Sequence, residues 1–339
     1  MATLSSVHPL WAIDGGRVSI QGSGFAVGGR RLPEVRFGAL EARVVHASPH
    51  ELTVLVPAGL EGGATAVRVE GVAGETAFVE VGTVVATGLH QVDNPVFDAD
   101  GNLYVTYSGS RGQQAPVSIF RVRRDGAREP FVSDLVNPTS MAFDRAGRLY
   151  VSSRFEGHVY RLGAGGGREV FASDLGVTCG LAFGPDGALY AGDRSGSVFR
   201  LTNGGETTVF ATLPPSVAAY HLAFGPDDGL YVTGPTLAPR DAVYRIDGAG
   251  RVTTAYQGFG RPQGLAFDSQ GHLYVVEALA GASGVYRLRL DGGVADRAER
   301  VLSGTGLVGL AFDPAGGLVV ASNETLYRLD VAVRPAAVA

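Results

Sequence analysis

Lysine is absent from the 339 residues, so all 28 basic side chains are arginines. That excludes every mechanism needing a lysine Schiff base or a lysine general base, and it is the bias of a GC-rich, bacterial type of genome. Cysteine occurs once, as Cys179, which rules out an intramolecular disulfide framework and a Cys-rich zinc site. No stretch approaches the roughly 18 apolar residues of a transmembrane helix. The start, "MATLSSVHPLWAIDGG", has no basic segment followed by an apolar one. The chain as written therefore reads as soluble and cytoplasmic; export would need a signal peptide removed ahead of residue 1. Basic runs are lacking and the net charge is −5, so neither nucleic acid nor a membrane is an expected partner. There is no G-x-S-x-G elbow, P-loop, G-x-G-x-x-G turn or H-E-x-x-H, and no nucleotide cofactor is expected.

Glycine is plentiful at 50 residues, and 45% of the chain is hydrophobic against 18% charged. The glycines follow no G-x-y period and punctuate short apolar runs, which predicts an all-β protein with a sizeable core.

One phrase recurs six times: "NPVFDADGNLYV" from Asn94, "SMAFDRAGRLYV" from Ser140, "GLAFGPDGALYA" from Gly180, "HLAFGPDDGLYV" from His221, "GLAFDSQGHLYV" from Gly264 and "GLAFDPAGGLVV" from Gly309. The second residues are Pro95, Met141, Leu181, Leu222, Leu265 and Leu310, at spacings of 46, 40, 41, 43 and 45. Each copy is an apolar run, a turn and a second run rich in Leu, Tyr and Val, hence a hairpin. A third run follows ("HVYRL", "SVFRL") and in most copies a fourth ("REVFA", "TTVFA"). This period suits a four-stranded propeller blade. The last copy stops after "TLYRLDV", and "GTVVATGL" from Gly82 is unpaired, so the expected propeller is six-bladed, spans 82–339, and is closed by an N-terminal outer strand. Residues 1–81 read as about seven short strands, a small β-sandwich.

In such a ring the start of the inner strand and the end of its neighbour share one mouth of the central channel. A structural repeat should look alike there, whereas a site should make the copies differ. Before each copy stand Asp93, Thr139, Cys179, Tyr220, Gln263 and Val308, followed by Asn94, Ser140, Gly180, His221, Gly264 and Gly309. The second runs end near Tyr107, Arg154, Asp193 with Arg194, Pro235, Glu277 and Asn323. The mouth is therefore polar, mixed in charge and unequal around the ring, and it suits a small polar molecule. His221 and Glu277 are the candidate acid–base residues. Arg154, Tyr220, Gln263, Asn94, Tyr107, Asp193 and Cys179 are candidate ligand-binding residues, and Arg154 with Glu277 would orient a polar ligand.

"GGRVSIQGSGF", "VRFG" and "LTVLVPAG" closely resemble the IPT/TIG family of immunoglobulin-like domains, which implies an immunoglobulin-like sandwich over 1–81 acting as a spacer or as an adhesion module toward a protein or glycan. The repeats resemble the NHL group and the gluconolactonase family of six-bladed propellers, which includes the senescence-marker-protein lactonases. In that family a Glu of a Glu-Gly-Pro-x-Trp pattern binds a divalent metal; the matching words here are Asp93-Asn94-Pro95-Val96-Phe97. The resemblance implies a metal role for Asp93 toward Ca, Mg, Mn or Zn. The family's other ligand positions fall on Thr139, Cys179 and Tyr220, where its Asn, Asn and Asp are lost. "HLAF" resembles the His-Gly-Ile repeats of streptogramin-lyase propellers. The leading expectation is a gluconolactonase-like site that hydrolyses a lactone or ester, or cleaves a related polar substrate. The alternative is a noncatalytic NHL-type scaffold that recognises a protein or glycan.

Overall fold

A computed structural model describes residues 2–29, 31–73, 76–163 and 165–336; residues 1, 30, 74, 75, 164 and 337–339 lie outside it. Every regular element among the described residues is a strand, and none is a helix able to cross a membrane. The repeats form a β-propeller arrangement. Five antiparallel sheets of four strands are closed in themselves. The first holds Val96–Phe97, Leu103–Thr106, Ile119–Val122 and Arg128–Val132. The second holds Pro138–Phe143, Leu149–Ser153, His158–Leu162 and Arg168–Ala172. The third holds Thr178–Phe183, Leu189–Asp193, Ser197–Leu201 and Thr207–Thr212. The fourth holds His221–Phe224, Leu230–Thr233, Asp241–Ile246 and Val252–Phe259. The last of the five joins Leu307–Asp313, Gly317–Ser322 and Leu326–Leu329 to Thr83–Ala86, which pairs with Leu326–Leu329 from the far end of the sequence.

The fifth repeat has the same antiparallel order, Pro262–Phe267, Leu273–Glu277, Gly284–Leu288 and Ala298–Ser303, but its sheet does not end there. Trp11–Ala12 lies parallel to Ala298–Ser303 on one side and to Ala77–Val81 on the other, which merges this repeat and the N-terminal strands into thirteen. An outer edge that would otherwise offer unpaired N–H and C=O groups is thereby covered. The joint is also anchored by Ile13, which is buried among Leu302, Leu307 and Tyr327 of the repeats, and by Arg17, whose backbone N–H donates to Ser303 Oγ at 2.7 Å. The N-terminal strands have their own core, built on Val18, Ile20, Val35, Phe37, Leu52 and Val54.

The recurring phrase records how neighbouring repeats pack. The Tyr of one second strand meets the Phe of the next repeat's inner strand edge-to-face: Tyr150–Phe183, Tyr190–Phe224, Tyr231–Phe267 and Tyr274–Phe312 at 5.0 Å between centroids, and Tyr104–Phe143 at 5.3 Å. Each such pair contributes about 0.5–1.5 kcal/mol beyond the area it buries. At the seam between the sixth and first repeats the aromatic pair is missing, and Val319 packs with Phe97 in an aliphatic cluster. The turn aspartates are part of the same device. Asp227 accepts from the Tyr231 hydroxyl at 3.1 Å and from Arg245 Nε at 2.7 Å, which satisfies the polar end of a buried ring. The fourth turn residue needs positive φ, supplied by Gly147 at 75° and, in the fourth repeat, by Asp228 at 56°, a residue type that tolerates this region.

The inner strands surround a channel of about 640 Å³, apolar along most of its length through Met141, Leu181, Phe183, Leu222, Phe224 and Leu310. At its turn end the C-terminal segment crosses: Ala336 donates to Phe267 O at 3.1 Å, and Ser269 to Arg334 O at 2.9 Å. At the other end lie the residues singled out above.

Candidate functional site

At three of the six inner-strand starts this mouth is too crowded for a side chain. A Cβ on Gly264 would lie 2.1 Å from Asn94 Oδ1, one on Gly309 2.5 Å from Asp93 O, and one on Gly180 2.6 Å from Tyr220 O. Against that ring of small residues the fourth repeat inserts a long one. His221 Nδ1 donates to Asp93 Oδ1 of the first repeat at 2.5 Å, and its Nε2 lies 3.3 Å from Gln263 Oε1 of the fifth. His221 is 0% exposed and Asp93 and Gln263 are also buried. Asp93 is itself held, since Oδ1 also accepts Asn94 N–H at 2.7 Å while its carbonyl accepts Gln91 Nε2 at 2.6 Å. Three of the candidate residues are thus brought into one contact: Asp93, His221 and Gln263.

Asn94 N–H touches Asp93 and Cys179 lies near it; the rest are apart, and several have a different role. Glu277 accepts the backbone N–H groups of Gly260, Arg261 and Leu279 at 2.6, 2.9 and 2.7 Å. This corrects the expectation that it pairs with Arg154: its oxygens fasten two loops, one at Gly260–Arg261 and the other at Leu279. Asp193 likewise accepts Val177 N–H at 2.7 Å and the Ser195 hydroxyl, closing its own loop. Asn94 is a seam residue, with Nδ2 donating to Leu265 O at 2.8 Å and Oδ1 accepting Leu310 N–H at 3.0 Å; with both ends of its amide used by backbone, it is not free for a ligand. Tyr220 is buried and its hydroxyl donates to Pro214 O; burial pushes its pKa well up.

Cys179 is also buried, with Sγ donating to Val177 O at 3.3 Å. Burial, and then the Asp93 carboxylate, push its thiol up to about 12, so a nucleophilic thiolate is not presented. Tyr107 is half-buried, its ring edge-on to His90 at 6.1 Å between centroids.

Arg154 is the exception among the candidates. It stands just past the end of Leu149–Ser153, half-buried, and its guanidinium donates to no acceptor among the described residues. Burial lowers its pKa, and although the nearby Cys179 acts in the opposite sense, Arg194 and Arg111 lower it further. Three residues here escaped the sequence reading. Arg111 is carried on the loop after the first repeat's second strand. Asn137 holds that loop: its Nδ2 donates to Ser108 O at 2.6 Å and Ser110 O at 2.9 Å, and its Oδ1 accepts Gly112 N–H at 2.7 Å. Gln91, fully buried, accepts from Thr106 N–H and Oγ1 at 2.8 and 3.1 Å. The one sequence signal was the Asn137–Pro138 step, a turn former.

A metal does not fit this donor set. Among the described residues no group of three or more His, Cys, Asp and Glu could hold one. Asp93 is the one carboxylate in the contact with His221 and Gln263, whereas hard cations take several oxygens.

Residues 2–79 match the IPT/TIG domain family. No curated protein matches the chain. Among solved structures, a candidate gluconolactonase is similar at 20% identity and a TM-score of 0.60, covering 75% of this chain and 92% of that one. An auxiliary nutrient binding protein from Bacteroides ovatus is similar at 13% identity and a TM-score of 0.56, covering 97% of each chain. Virginiamycin B lyase from Staphylococcus aureus is similar at 14% identity and a TM-score of 0.52, covering 73% of this chain and 97% of that one. At these identities the likeness is one of fold, an all-β propeller that hosts unrelated activities.

Proposed function

We propose that the chain is a noncatalytic binding protein that takes a small polar molecule at the propeller mouth. Its units would be an immunoglobulin-like sandwich over 1–81 and six blades over 82–339, the fifth repeat being the blade that the N-terminal strands extend. The observation that carries the reading is the state of His221: it is fully buried, with one ring nitrogen on Asp93 and the other facing Gln263. A proton carrier must reach the proton it moves. The other chemical candidates are also engaged, Glu277 by three amides and Cys179 by burial. The full-length likeness to a nutrient binding protein is equalled by one to a virginiamycin B lyase, so the fold likeness does not separate binding from catalysis.

The test is turnover. The full chain is incubated with a panel of sugar and aliphatic lactones and esters in a pH-stat, alongside His221→Ala. No hydrolysis above the blank is expected; hydrolysis that disappears in His221→Ala would replace this reading.

A second reading is favoured by the 2.5 Å Asp93–His221 contact, since a carboxylate that fixes an imidazole tautomer is part of acid–base catalysis. It makes the pair the centre of a lactone- or ester-hydrolase, or of a lyase, and it requires the mouth to open to substrate. A bell-shaped pH–rate profile that flattens in Asp93→Asn would support it.

A further inference from the structure

We infer that the propeller mouth over the first three repeats is an oxyanion site, taking a small organic carboxylate or phosphate between Arg154, Arg111 and Arg194. This deepens the binding reading above and rests on it.

The ion pairs made by the arginines of the repeats lie away from the mouth. Arg148, Arg200, Arg245, Arg251, Arg287 and Arg328 each pair with a carboxylate of a turn or of an outer strand. The mouth-end arginines Arg111, Arg154, Arg194, Arg240 and Arg261 make no ion pair among the described residues. Several acids at that end are already engaged, although Asp241 Oδ2 has no partner among the described residues and Glu324 stands beside His90. Asp93 is on His221, Asp193 on Val177 N–H and Ser195, Asp241 on Thr236, and Glu277 on three amides. None of these carboxylates forms an ion pair with the arginines among the described residues.

Within this group Arg154 is the centre. Arg194 and Arg240 each donate to one carbonyl, Val217 O at 2.8 Å and Gly258 O at 3.0 Å. Arg154 donates to none, is half-buried, and has Arg111 and Arg194 as like-charged neighbours. A partly desolvated cation beside two others costs free energy. A bound oxyanion offsets that cost, because guanidinium forks match carboxylate and phosphate oxygens two at a time.

The site is also held in place. Asn137 ties down the loop of Arg111 with its side chain, and its carbonyl accepts Arg154 N–H at 3.3 Å. Arg194 N–H donates to Val177 O at 3.2 Å. Beside Arg154, Phe155 is 53% exposed and lies against Gly112, where an added Cβ would be 3.0 Å from its ring. That exposed face suits the carbon skeleton of an organic anion.

The experiment is isothermal titration of the full chain with D-gluconate, glucose 6-phosphate and, as the neutral control, D-glucose. At least one anion should bind and glucose should not. Arg154→Gln should weaken the anion roughly tenfold or more, as loss of a charge-assisted hydrogen bond does. Arg251→Gln, which removes a paired arginine at the opposite end, should leave affinity unchanged. Circular dichroism melts confirm that both variants are folded. Binding of gluconate alone assigns a carboxylate ligand, and of glucose 6-phosphate alone a phosphate.

The inference is overturned if neither anion binds, if glucose binds as tightly as the anions, or if Arg154→Gln binds them as the parent does. Glucose binding alone would sink the anion site and leave the binding reading standing. A bound anion that NMR shows to be chemically altered on standing would sink the noncatalytic reading and leave the anion site standing.

Discussion

His221 of the fourth repeat and Asp93 of the first are joined by a 2.5 Å hydrogen bond between residues 128 positions apart, in a place where neither is exposed to solvent. The contact ties two repeats that are not neighbours in the ring. Removing one partner strands the other without its hydrogen bond in a buried site, at a cost of roughly 1–3 kcal/mol for the polar group left unsatisfied. Asp93→Ala and His221→Ala should therefore each lower the urea midpoint substantially. The double variant should lie close to the worse single one, because both delete the same interaction. Additive losses in the cycle would show that the two residues act independently.

Arg154 should behave in the opposite way. Its guanidinium has no acceptor among the described residues, and burial and two neighbouring arginines disfavour its charge. Arg154→Gln is expected to leave the melting temperature unchanged or raise it, while ligand affinity falls. A marked loss of stability would mean that the arginine holds the fold together.

The aromatic ladder predicts a graded series at Tyr231, which is 0% exposed and stacks on Phe267. Tyr231→Phe loses the hydroxyl bond to Asp227 and should cost about 0.5–1.5 kcal/mol. Tyr231→Ala opens a cavity between two repeats and should cost about 3–5 kcal/mol. Chemical denaturation of the two variants measures both, and equal losses would contradict the packing argument.

Asn94→Ala should loosen the seam where the sixth and fifth repeats meet the first. It leaves Leu310 N–H and Leu265 O without their side-chain partners, at about 1–3 kcal/mol for each buried group stranded. Hydrogen exchange at Leu310 should rise in this variant, and unchanged protection there would reject the seam role.

Alkaline pH should destabilise the fold. Burial raises Cys179 from 9.0 to about 12, and Tyr231 and Tyr274 from 10.0 to about 12. For groups raised in the folded state, the stabilisation is complete below the unfolded pKa and is lost as pH climbs toward the folded one. Melting temperatures should hold up to about pH 9 and fall between about 9 and 12, with a smaller fall in Cys179→Ala. Below that window Cys179 should resist alkylation until the chain unfolds. Rapid labelling of native protein at pH 8 would refute its burial.

Much of the architecture was legible in the residues because its causes are local. The turn-forming D-x-x-G words, the alternation of apolar residues and the Tyr and Phe of each copy act within one hairpin or between adjacent ones, so they repeat wherever the structure does. The unmatched run at Gly82 and the missing last strand likewise expose each other by simple count.

The roles of the mouth residues are not local, and here position along the chain misled. Asn94, Asp193 and Glu277 stand at the right end of the ring for a ligand, yet hydrogen-bond geometry gives Asn94 to the backbone of neighbouring inner strands and Asp193 and Glu277 to that of nearby loops. Polar side chains near a strand end satisfy the nearest unpaired amides first, and no spacing reveals which amides those are.

The amino-acid sequence by itself determined a repeated four-strand unit, its period, its turns and an N-terminal segment of another kind, since short-range sterics and apolar periodicity suffice for these. Only the tertiary structure decided that His221 meets Asp93, that Trp11–Ala12 extends the fifth repeat, and that Arg154 is left without a partner. Those outcomes depend on closing the ring, which places residues more than a hundred positions apart within hydrogen-bond reach.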